Sequence, residues 1–193
     1  MNLKHDKLKI LITGEALFRS QGYHSTGINE ILKASGVSKG SFYNYFSSKE
    51  DFALQVVDLY GTETGKIIRD SLNRPQANHV GRIRSFAQKM IAVNASENGE
   101  KGCLVYNFSF EMAAQNQAIA QRLNYHLEKW IDLIEPVVKA GQEAGEITNR
   151  FSARELAMMI HTAINGAAGR MKIHNSIQPI QQMLDMILAL IKA

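Results

Sequence analysis

Eight residues between positions 38 and 49 carry groups suited to a polyanion: Ser38, Lys39, Gly40, Ser41, Tyr43, Asn44, Tyr45 and Lys49. The first four are small or cationic, so a helix starting there could press close to a duplex and aim its unpaired N–H groups at phosphate. Tyr43, Asn44 and Tyr45 add hydroxyl and amide groups able to touch phosphates or base edges. Phe42 and Phe46, four apart, are expected to face inward. Lys49 falls in the first turn of the next expected helix, where the dipole favours anions, which calls for an external anion such as phosphate. Other chemistries lack their residues: the sequence shows no His-x-x-x-His, no paired carboxylates on one helix and no phosphate loop, so no enzyme, catalytic residue, metal or cofactor is expected. The lone Cys103 excludes an intramolecular disulfide and a paired-thiol zinc site. Following Lys101 and Gly102 at an expected helix start, it reads either as a thiol of lowered pKa open to electrophiles and oxidants, or as a small buried hydrophobe.

Helical periodicity runs through nearly the whole chain. It predicts a first helix over about 4–19, with Leu8, Leu11, Ile12, Leu17 and Phe18 on its apolar face and a stop at Gly22. A short helix over about 27–34 follows, with Thr26 as N-cap and Gly36 as terminator, then a third from a Ser38 cap to Phe46. Ser47 and Glu50 read as a capping box opening a helix from Ser48 toward Arg69. Further helices are predicted over about 80–96, 103–114 and 118–144, the last interrupted by Pro136. The stretch CLVYNFSF suits a strand equally well, but with no partner strand in view it is read as helix. Ser152 and Glu155 form a second capping box, with Phe151 able to staple onto Leu156, and a final helix follows Pro179.

Helix, glycine-containing turn and short second helix make a helix-turn-helix over about 27–46, whose second helix can enter a major groove. Charge agrees: residues 1–50 hold seven Lys and Arg against four Asp and Glu, a net of +3, whereas the whole chain carries +4. The composition is that of a globular protein. With no signal-like start and no membrane-spanning apolar run, a cytoplasmic protein without membrane association is expected.

The stretch Ile10–Phe52 resembles the TetR family signature: Ile10-Leu11 with Ala16-Leu17-Phe18, then Gly22-Tyr23, then Thr26-Gly27-Ile28, then EILKxxGVSKGSFYNYFxSKEDF from Glu30 to Phe52. The resemblance implies an all-α fold of about nine helices. An N-terminal three-helix DNA-binding domain (1–50) would precede a C-terminal helical domain (51–193) for ligand binding and dimerisation. It also implies that Ser38, Lys39, Gly40, Ser41, Tyr43, Asn44, Tyr45 and Lys49 occupy positions that meet DNA, and that Thr26 occupies a capping position that often contacts phosphate. Some members with a GCL motif use that cysteine as a sensor. The departure is Thr13-Gly14, where alanines are usual; a mid-helix glycine costs about 1 kcal/mol relative to alanine.

Past Asp51 the resemblance fades. Small residues Ala163, Gly166, Ala167 and Gly169 would allow close helix approach, and in similar proteins the last two helices form a four-helix bundle across a two-fold axis, so a homodimer on a pseudo-palindromic operator is expected. Candidate effector contacts are Tyr60, Met90, Cys103, Tyr106, Phe110, Trp130, Met159 and His161, each of which also reads as plain core. The reading is a repressor of double-stranded DNA released by a small apolar or electrophilic effector. The alternative is a helical ligand-binding or adaptor protein with a vestigial helix-turn-helix.

Overall fold

The structure, a computed structural model, describes residues 3–95 and 102–193. Among them are nine α-helices and no β-strand: α1 (Leu3–Gln21), α2 (Ile28–Ser35), α3 (Lys39–Tyr45), α4 (Lys49–Leu72), α5 (His79–Ala95), α6 (Leu104–Met112), α7 (Gln117–Glu143), α8 (Ala153–His174) and α9 (Gln178–Ile191). The segment CLVYNFSF is thus helical, and α7 runs on through Pro136. The expected end of the fifth helix at Ser96 and the Lys101 beside the cysteine lie outside the described residues.

The chain packs as two compact units, Met1–Thr62 with Cys103–His126, and Glu63–Gly102 with Leu127–Ala193. This division differs from a boundary at residue 50, because α6 and the start of α7 pack with the N-terminal helices.

The first unit is built on an aromatic cluster. Phe18, Phe42, Phe46, Phe52 and Phe108 are fully buried. Ring centroids lie 4.8 Å apart for Phe46 and Phe52, 4.9 Å for Phe42 and Phe46, and 5.3 Å for Phe18 and Phe108. Such tilted and edge-on pairs each contribute about 0.5–1.5 kcal/mol beyond the area they bury. The cluster explains the glycine in α1. A Cβ on Gly14 would stand 2.2 Å from Phe52 Cζ, so the alanine usual at this position has no room against this ring. The buried face of α1 also differs from expectation: Ile10, Leu11 and Phe18 are buried, whereas Leu8 and Ile12 are exposed.

Two caps are corrected. The N-cap of α2 is Gly27, with no side-chain cap, and Thr26 is fully buried with its hydroxyl donating to the Gly22 carbonyl at 2.7 Å. At α4 the box is one residue along. The Ser48 hydroxyl accepts from the Asp51 N–H (3.0 Å), and the Asp51 carboxylate accepts from the Ser47 N–H (2.8 Å). Bonds from Gln55 and Ser47 hold the Asp51 carboxyl below the ordinary carboxylate range.

In the second unit α5, α8 and α9 pack together. The Ser152–Glu155 box forms as expected: the Glu155 carboxylate accepts from the Ser152 N–H at 2.8 Å, and the Ser152 hydroxyl accepts from the Glu155 N–H at 3.3 Å. Phe151, the intended staple, is exposed. Arg154 pairs with Glu128, Asp132 and Glu135, tying α8 to α7, and these partners raise its pKa. No helix among the described residues is long and apolar enough to cross a membrane.

Candidate nucleic-acid interface and candidate effector residues

The turn between α2 and α3 is set by Gly36, whose φ of 69° is the left-handed conformation glycine adopts without strain. Its N–H and that of Val37 both return to the Leu32 carbonyl, at 2.9 and 3.2 Å, closing the end of α2. Ser38 then caps α3, its hydroxyl accepting from the Ser41 N–H at 3.1 Å. The seven-residue α3 is anchored from one side only. Phe42, and Phe46 just past its end, are fully buried.

The opposite side carries the polar residues. Ser38, Lys39, Gly40, Tyr43 and Asn44 are exposed, and Ser41 and Tyr45 half-buried. At Gly40 nothing nearer than the Ser38 hydroxyl, at 3.9 Å, faces the place a Cβ would occupy, so no internal contact demands glycine there. Seven of the nine sequence-selected positions therefore fall on or beside one outward-facing helix. The other two differ. Thr26 is enclosed, as described above. Lys49 donates to the Tyr23 carbonyl at 2.6 Å, with its Nζ 4.1 Å from the Tyr23 ring centroid, and burial lowers its pKa. A cation at this helix N-terminus thus has an internal partner, and an external anion is not needed to explain it.

The effector candidates divide between the units. Tyr60 and Cys103 are buried in the first, and Tyr106 is half-buried there. Phe110 is 89% exposed and lines no core, which corrects its placement among pocket residues. Cys103 caps α6 and hydrogen-bonds with the Tyr60 side chain, but burial pushes the thiol up from its ordinary value. Desolvation outweighs the helix N-terminus, so of the two readings of Cys103 the buried one, not the activated thiol, agrees with its surroundings.

In the second unit Met90 and Trp130 are buried and Met159 half-buried. His161 is buried beside Trp130, ring centroids 5.5 Å apart, and desolvation lowers its pKa to about 4. One helical turn on, sequence reasoning missed Asn165. Its amide donates to the His161 carbonyl at 2.9 Å, which fixes the amide's orientation, and no described group donates to its buried Oδ1. Also missed was Asp58, whose carboxylate accepts from Arg122 at 2.8 Å and lies 3.0 Å from His126 Nε2, joining α4 to α7 in the first unit.

An all-helical chain presenting a short polar helix on a helix-turn-helix frame defines a DNA-binding regulator. Comparison with known proteins names its kin. Residues 10–56 match the profile of bacterial regulatory proteins of the tetR family, and residues 80–187 match the tetracyclin repressor-like C-terminal domain. The chain belongs to the TetR family of bacterial transcriptional regulators. It is 30% identical over 174 residues to the HTH-type transcriptional repressor DhaR of Mycobacterium sp. (strain GP1), covering 90% of this chain and 86% of that protein. It is 26% identical to the repressor NemR of Escherichia coli (strain K12), covering 94% and 92%. Among solved structures, a regulatory protein TetR from Rhodobacter sphaeroides superposes with a TM-score of 0.90 at 27% identity, covering 95% of this chain and 97% of that one.

Proposed function

We propose that this regulator is a repressor that binds a pseudo-palindromic operator as a homodimer and releases it when a small apolar effector occupies the C-terminal helical domain. The carrying observation is α3: two buried phenylalanines hold it from inside, and the polar face of Lys39, Gly40, Tyr43 and Asn44 points outward. Lys39 at the cationic end contacts phosphate, and Tyr43 and Asn44 reach phosphate or base edges.

Dimerisation is supported by an exposed apolar face on α8 and α9, comprising Met158, Ile173, Met186 and Leu190. Gly166 and Gly169 lie along α8 with no atom within 4 Å of where their Cβ would stand, leaving room for a second backbone. The effector site is supported by the buried Trp130, His161 and Asn165, an apolar wall with a neutral ring and an amide oxygen open to a donor. Coupling of about 1–3 kcal/mol between the two sites lowers DNA affinity 5- to 150-fold.

A gel shift on the DNA upstream of the gene tests the reading, with Lys39→Ala and Tyr43→Ala variants. Salt-sensitive binding that weakens in both variants supports it, and wild-type protein that binds no such DNA above the random-sequence level refutes it. Sedimentation of the Met158→Asp, Ile173→Asp double variant tests the dimer face: an α8 to α9 dimer falls to monomer, and an unchanged mass refutes that interface.

A further inference from the structure

The turn joining α1 to α2 is held by a residue far along the chain. Glu111, near the end of α6, accepts the Tyr23 N–H on Oε2 at 2.8 Å and the His24 N–H on Oε1 at 2.7 Å. Both oxygens are thus used on consecutive backbone donors that no helix supplies with acceptors. Three observations show the fit is built. Gly22 has a φ of 85°, and a Cβ there would approach Glu111 Oε2 to 2.8 Å. Phe108, one turn before Glu111, packs edge-on against Phe18 at 5.3 Å and Tyr23 at 6.0 Å. From the other side Lys49 takes the Tyr23 carbonyl and lies over its ring.

We propose that Glu111 is a positioning residue for DNA recognition: its carboxylate clamps the α1 to α2 turn, and through α2 and the Gly36 turn it sets the attitude of α3. The chain of contact is short. Tyr23 and His24 lie five and four residues before the start of α2 at Ile28, and α2 packs on both α1 and α3. A carboxylate is the side chain the site requires, since it offers two acceptors and no donor. Charge-assisted bonds of this kind are about twice as strong as neutral ones. Glu111 itself touches no DNA in this scheme.

The clamp and simple electrostatics predict opposite signs. Glu111→Gln removes a negative charge from a protein that binds a polyanion, so charge alone tightens binding. Through the clamp it weakens binding, because the Gln amide turns a donor toward one of two N–H donors and that end of the turn comes free. The test measures wild type and Glu111→Gln, at a temperature where circular dichroism shows both fully helical. Each is titrated with two duplexes: an operator selected from random-sequence DNA with wild-type protein, and a random-sequence duplex of equal length. The expected result is operator binding weaker by about tenfold, with random-duplex binding unchanged or slightly tighter, since specific fit depends on α3's attitude and backbone attraction does not. Hydrogen exchange reads the clamp directly, and the Tyr23 and His24 amides lose protection in the variant. Operator binding that is unchanged or tighter overturns the proposal. So does an equal loss on both duplexes, the mark of a general structural defect, or unchanged protection of the two amides.

Discussion

His161 offers the sharpest quantitative prediction. Its imidazole is buried beside Trp130, and the cost of charging it there holds its pKa at about 4, against 6.5 ordinarily. Between those values the unfolded chain binds a proton that the folded chain refuses. Stability from this residue is therefore full above pH 6.5 and declines as the pH falls toward 4. The difference between 6.5 and about 4, at about 1.4 kcal/mol per pH unit, is roughly 3 kcal/mol. For a chain of this length that corresponds to roughly 6–12 °C in melting temperature. Two other histidines, His79 and His126, lie beside the carboxylates of Glu146 and Asp58, so the quantity to follow is a difference. Urea unfolding of wild type and His161→Gln, at half-unit steps from pH 7 to 4.5, isolates it. Wild-type stability should fall more steeply with acid than the variant's, by more than 1 kcal/mol over this range. Parallel curves, or a His161 ring that titrates near its ordinary value by NMR in the folded protein, would refute the reasoning.

Other expectations follow from single contacts. Gly14→Ala gains helix propensity of about 1 kcal/mol but drives a methyl against the Phe52 ring, and the net should be destabilisation of about 1–3 kcal/mol in thermal unfolding. Lys39→Ala should weaken binding to all duplexes alike and reduce the slope of log affinity against log salt by about 1, while Lys49→Ala should lower the melting temperature more than it changes that slope. Native Cys103 should react with a disulfide reagent at pH 7.5 at least about tenfold slower than in urea-unfolded chain, because burial both raises its pKa and shields the sulfur. Asn165→Leu, which removes the undonated oxygen, should match or exceed wild-type stability, and by the proposed function it should lose its response to effectors that carry a hydrogen-bond donor.

The sequence by itself determined the order of the nine helices among the described residues and the place of the short α3. Helix period is a local property, and the α3 residues Lys39 to Tyr45 follow directly on a left-handed glycine turn and a serine cap whose chemistry is written within a few positions. Phe42 and Phe46 could be assigned inward because a spacing of four puts them on one face whatever they pack against. Tertiary structure decided what depends on distant neighbours. Lys49 looked like a phosphate ligand until Tyr23, 26 residues away, supplied its acceptor. Gly14 looked like a defect until Phe52 filled the space above it, and Thr26 like a cap until the Gly22 carbonyl took its hydroxyl. For Cys103 the helix terminus visible in the sequence and the burial visible only in the fold act in opposite directions, and burial prevails because a buried thiolate loses its hydration. Glu111 and Asn165 carried no local signal of partnership, since what makes each notable is the presence or lack of a hydrogen-bond partner that only the folded chain brings near.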